Sequence, residues 1–108
     1  MSVDGFPADA DGDVLRRLKK HGFDFSQRHD VDFSVEFEAW PPSAEAVARL
    51  EENYPSVLVG EEEVVVQVRD FVTYDFVVRT QSLLSGMMRT FGGVCETWGV
   101  WEHSPKTP

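Results

Sequence analysis

A two-layer α+β sandwich, with helices on one side of a four-stranded antiparallel sheet, follows from three observations. The segment Asp30 to Ala39 alternates without error between apolar and polar side chains. Two later segments repeat apolar residues at three- and four-residue steps. Short β-rich runs broken by Gly, Pro and acidic turns complete an order of strand, helix, strand, strand, helix, strand. The 108 residues are 42% apolar and 27% charged, which places the chain with single globular domains and not with disordered ones. A domain of that size buries roughly 65% of its unfolded surface, enough for one core without staples.

Residues 1–10, with Gly5, Pro7 and small polar side chains, read as a flexible arm; residues 11–103 form the domain, and 104–108 a disordered tail. Asp11 or Asp13 is the expected cap of an extra N-terminal helix with Val14, Leu15 and Leu18 on one face. Gly22 follows its last turn, where a left-handed residue is needed, and Phe23 folds back on Leu18 in a Schellman motif. Lys19, Lys20 and His21 lie where positive charge complements the helix dipole, so this basic run is a solvated helix end and needs no phosphate to explain it.

In the Asp30–Ala39 strand, Val31, Phe33, Val35 and Phe37 form the buried face. Their burial contributes on the order of 6–12 kcal/mol before chain entropy is charged against it. The wet face carries Asp30, Asp32, Glu36 and Glu38, with successive same-face positions roughly 7 Å apart. Pro41 and Pro42 end the strand. Ser43 caps a second helix with Val47, Leu50 and Tyr54 at helical spacing, and Pro55 closes it. Ser56–Val59 and Val64–Arg69 read as a hairpin turning at Gly60, Glu61, Glu62 and Glu63, with Val64, Val66 and Val68 inward. A third helix runs from about Asp75 to Phe91, its stripe made of Phe76, Thr80, Leu83, Leu84, Met87, Met88 and Phe91. Gly92 and Gly93 stop it. The last strand is Val94 to Trp101, with Gly99 as the expected site of a bulge.

This order is the split βαβ, or ferredoxin-like, arrangement, and right-handed crossovers place the first strand centrally. One sheet face packs on helices. The other stays open, with the N-terminal helix available to cover part of it.

Charge and motifs narrow the function. With 19 Asp+Glu against 10 Lys+Arg, a net charge of −9 and a pI near 4.6, the chain repels nucleic acid and anionic membrane and attracts basic surfaces. Base-stacking domains of this topology carry aromatics on the open face, whereas this one offers Asp32, Ser34, Glu36 and Glu38. No apolar run exceeds three residues, so no segment spans a bilayer, and the acidic start is unlike a signal peptide. A reducing cytoplasm is the expected location. His21, His29 and His103 have no metal-ligand spacing, and neither a nucleophile elbow nor a phosphate-binding Gly-rich loop occurs. Cys95, the lone cysteine, reads as a buried structural thiol. The expectation is a non-catalytic module with no cofactor and no metal.

Trp98 and Trp101 stand three apart on the last strand and so point to opposite faces, one of them inward and the other an accessible anchor. The segment FGGVCETWGVWE, with Gly92, Gly93, Glu96, Trp98 and Gly99, resembles the closing signature of the ribonuclease E inhibitor family known as regulator of ribonuclease activity B. Cys95 and Thr97 stand where that signature has an aromatic residue and a glycine. Asp13, Leu15, Leu18, Gly22, Asp24, Arg28, Val31 and Phe33 resemble the family's opening, so the likeness runs from about residue 11 to 103. It implies a ferredoxin-like fold and a regulator that binds an endoribonuclease without catalysing anything itself.

The expected partner is therefore a basic protein, with an endoribonuclease the one the resemblance implies. It meets Asp32, Glu36 and Glu38, the hairpin carboxylates Glu61, Glu62 and Glu63, and Glu96, with Trp98 or Trp101 as anchor. Two alternatives stand beside this: an immunity-like protein that binds a basic toxin, and a small-ligand or enzymatic domain with a cleft beside Trp98, His103 and Glu96. Oligomeric state is left open.

Overall fold

The computed structural model describes residues 6–100. Three helices and four strands follow in the order α1 (Ala10–Lys20), β1 (Arg28–Phe37), α2 (Ala44–Asn53), β2 (Ser56–Val59), β3 (Val64–Phe71), α3 (Tyr74–Met88) and β4 (Gly93–Val100), with a 3-10 turn, Arg89–Phe91, after α3. The sheet order is β2-β3-β1-β4, and each neighbouring pair is antiparallel. This is the ferredoxin-like topology, with β1 central as the right-handed crossovers place it. Trp101, His103 and the expected tail lie outside the described residues, as does the arm before Phe6.

Local chemistry starts and stops each element. Asp9, not Asp11 or Asp13, caps α1: its side chain accepts from the Gly12 N–H at 2.8 Å. That early start leaves Asp11 and Asp13 in the first turn, where negative charge suits the helix dipole. At the other end Gly22 has φ +81°, and the Phe23 N–H reaches the Leu18 carbonyl at 3.0 Å, closing the Schellman motif. Ser43 and Thr73 cap α2 and α3 through the N–H groups of Ala46 and Phe76.

Val31, Phe33, Val35, Val64 and Val66 are fully buried beneath Leu15, Leu50, Val77, Leu84 and Met88 of the helices. The α3 stripe is turned from the expected one: Val77 and Gln81 are buried, whereas Leu83 is 57% exposed. Leu15 joins the same core, and α1 packs beside α3 on the helix side. It does not cross the open face, contrary to the expectation that it was available as a cover.

The bulge in β4 falls at Glu96 and not at Gly99. Thr97 pairs with Ser34 and Cys95 with Val35, so Glu96 is the extra residue, while Gly99 sits in register with Asp32. The cause is packing. Cys95 and Trp98 both face the helices, yet an odd spacing would put them on opposite faces of a regular strand. The bulge restores the phase. Ser85 of α3 compensates at this point: its hydroxyl accepts from the Cys95 N–H at 2.9 Å and donates to the Cys95 carbonyl.

Candidate functional site

The open face is read from the register. Arg28 stands opposite Phe71, Asp30 opposite Arg69, Asp32 opposite Gln67 and Ser34 opposite Val65, all on the side away from the buried valines. Along β1 the expected acidic row divides in two. Asp30 is ion-paired with Arg69 at 3.2 Å, and Asp32, half-buried, accepts a hydrogen bond from the Gln67 amide at 2.8 Å. Glu36 and Glu38 beyond them are exposed. Arg28 lies 4.7 Å above the Phe71 ring, so the guanidinium groups of Arg28 and Arg69 gather at the start of β1. The face therefore has a cationic end and an acidic end.

The acidic end is shaped as well as charged. Glu36, Phe37 and the hairpin residues Gly60, Glu61, Glu62 and Glu63 line an open depression of about 620 Å³. On the other flank of β1, Glu36, Phe37 and Glu38 share a second depression of about 310 Å³ with Arg89, Gly92, Gly93 and Val94. The open face is thus hollowed on both sides of the β1 end. Phe37 packs against Trp40 in a tilted contact with ring centroids 6.4 Å apart, and Trp40 remains 37% exposed. Trp40 is an aromatic at the acidic end that strand-phase reasoning about Trp98 and Trp101 passed over. Glu96 is exposed at the bulge of β4.

Trp98 turns toward the helix side and is half-buried. It pairs with Phe33, packs against the core, and its indole N–H donates to Asp11 Oδ1 at 2.8 Å. The same oxygen accepts from the Gln81 amide at 3.1 Å, and Gln81 also donates to the Val77 carbonyl. One carboxylate thus ties α1, α3 and β4 together. A second tie lies next to it: the Tyr74 hydroxyl donates to Asp9 at 2.6 Å, which holds the Asp9 carboxyl below its ordinary range. The Trp98 indole N–H of the expected cleft is engaged by Asp11, and His103 of that cleft is outside the described residues.

Cys95 is buried, and desolvation pushes its thiol up to about 12 from 9.0, with the charges of Asp11 and Glu96 adding to the shift. A thiol that keeps its proton is a poor nucleophile. Native protein at about pH 8 is expected to resist iodoacetamide for as long as the folded state persists, with alkylation tracking unfolding in urea; rapid alkylation of the native protein would refute this. The linkage has a definite sign. The contribution of Cys95 is intact below 9.0, and stability falls between 9.0 and about 12 because only the unfolded thiol ionises there.

His29 is likewise structural: its Nε2 lies 2.8 Å from the Asp24 carbonyl and its ring packs on Phe23. Among the described residues no group of three His, Cys, Asp or Glu side chains gathers as metal ligands, and no helix is long and apolar enough to cross a membrane.

A charged sheet face with the helices all on its far side suits contact with another macromolecule, and the α+β scaffold behind it holds that surface fixed. The family model described as regulator of ribonuclease activity B matches residues 8–100, and the chain belongs to that family. Its class is thus that of proteins that regulate ribonuclease activity. No curated protein and no solved structure matches the chain.

Proposed function

We propose that the protein is a non-catalytic regulator that docks the acidic end of its open sheet onto a basic segment of an endoribonuclease. The observation that carries this reading is the division of charge on the face. Asp30 and Asp32 are engaged by Arg69 and Gln67, while Glu36, Glu38, Glu61 and Glu62 stand exposed with Glu63 beside them. Clustered like charges raise one another's field, steer a cationic segment toward the β1 end and orient it before contact. Glu96 extends the acidic surface along β4. Asp32 contributes to the shape of the face more than to its charge, since its carboxylate is shared with Gln67.

The test is inhibition of an endoribonuclease carrying a basic interaction segment. The Glu36→Lys, Glu38→Lys, Glu61→Lys protein is expected to bind more than tenfold more weakly, and wild-type binding to weaken as salt rises from about 50 to 300 mM. Asp32→Asn is expected to change binding less than twofold. Undiminished inhibition by the lysine variant would overturn the reading.

A further inference from the structure

We propose that the middle of the open face is the seat of an amphipathic helix of the partner, one whose apolar stripe is edged by Lys or Arg. This rests on the docking reading above and supplies what charge alone lacks, a water-excluding anchor. Leu58 pairs with Val65, Val65 with Ser34, and Ser34 with Thr97, so four uncharged side chains form a row across all four strands. Adjacent members lie about 4.8 Å apart.

Leu58 is 66% exposed, the most exposed large apolar side chain among the described residues, and it sits on a sheet face instead of a loop. Val94, 38% exposed, faces the same side opposite Glu36. Since α1, α2 and α3 all lie against the other face, no described helix of the chain covers this row.

The surroundings of the row select its occupant. An extended peptide adds to a sheet edge, whereas a helix buries its stripe against a sheet face. Glu36 and Glu63 border the row on one side, so the stripe must be flanked by cations there.

A second copy of the chain offers Glu36 and Glu63 no free cation. Stacked with strands antiparallel about the Ser34 row, it sets Asp32 and Gln67 over them, and its Arg69, one step further on, is already paired with Asp30. Stacking the two faces parallel sets acidic end over acidic end. Each copy also brings a net charge of −9. An anionic lipid surface meets the same repulsion.

The probe is a fluorescein-labelled peptide of about 18 residues, five helical turns, with Leu at i, i+3, i+4 and i+7 and Lys along one flank. A scrambled peptide of identical composition has no stripe. Titrated against the full chain, the striped peptide is expected to bind about tenfold more tightly than the scrambled one. Leu58→Ser, a change at an exposed position, should remove about that factor. Amide shifts should centre on Ser34, Val65 and Thr97.

Equal binding of both peptides, weakened by Glu36→Lys but untouched by Leu58→Ser, would overturn the helix seat and leave charge docking standing. Binding of neither peptide would overturn both. A dimer in sedimentation that Leu58→Ser dissociates would make the second copy the occupant and overturn the proposal as well.

Discussion

Asp11→Ala is expected to lower the unfolding free energy by about 3 kcal/mol, and Asp11→Asn by only about 1 kcal/mol. The alanine variant leaves two N–H groups without their acceptor: the Trp98 indole N–H and one N–H of the Gln81 amide, whose other N–H stays on the Val77 carbonyl. Gln81 is 9% exposed, so water cannot easily replace the lost partner. Asparagine keeps an oxygen for both donors and loses the charge-assisted part of each bond and the favourable helix-dipole term. Urea melts of the three proteins, read by near-ultraviolet circular dichroism, separate the cases. Equal losses for the two variants would show that charge and not acceptor geometry holds the tie. No loss in either would remove Asp11 from the account of why α1 stays on the helix side.

That tie also shows where sequence reasoning reaches its limit. β1 was legible because every second residue is apolar, a signal only a half-buried strand produces. The Schellman end of α1 and the hairpin at Gly60–Glu63 were legible from local residue chemistry, and both are present. Gln81 was not counted as core because an amide is costly to bury alone, and its partners Asp11 and Val77 are identified only once α1 is placed against α3. The bulge left a trace that could have been used. Gly93 and Cys95 face inward at odd positions, Trp98 and Val100 at even ones, and a strand cannot change phase without an extra residue.

The candidate site was half legible. Composition pointed to carboxylates on an open face, but which of them are engaged depends on cross-strand register. Asp30 finds Arg69 and Asp32 finds Gln67 across some 35 to 39 positions of chain, a relation with no local signature. Strand phase leaves Trp98 and Trp101 as alternative anchors, and the bulge at Glu96 that turns Trp98 inward shows only in the cross-strand register. Trp40 was passed over because it follows the strand in a Pro-rich bend, where no periodicity assigns a face.

Gly93→Ala is expected to destabilise the protein by about 3 kcal/mol, against about 1 kcal/mol for Gly92→Ala, although the two glycines are adjacent. Gly92 needs its identity for conformation: it has φ +76° and its N–H closes the 3-10 turn on the Arg89 carbonyl. Gly93 needs its identity for space. A Cβ there would lie 2.7 Å from Phe37 Cε2 and 2.9 Å from Met88 Cβ. The phenyl ring can turn, but Met88 is fully buried and its Cβ moves only if α3 moves. Turning Phe37 would also disturb both depressions at the acidic end, which it helps to line. Gly93→Ala should therefore weaken endoribonuclease binding at temperatures where the variant is still folded. A Gly93→Ala protein that melts with wild type would mean the Gly-Gly pair serves backbone conformation alone, and the link from α3 packing to the acidic end would be lost.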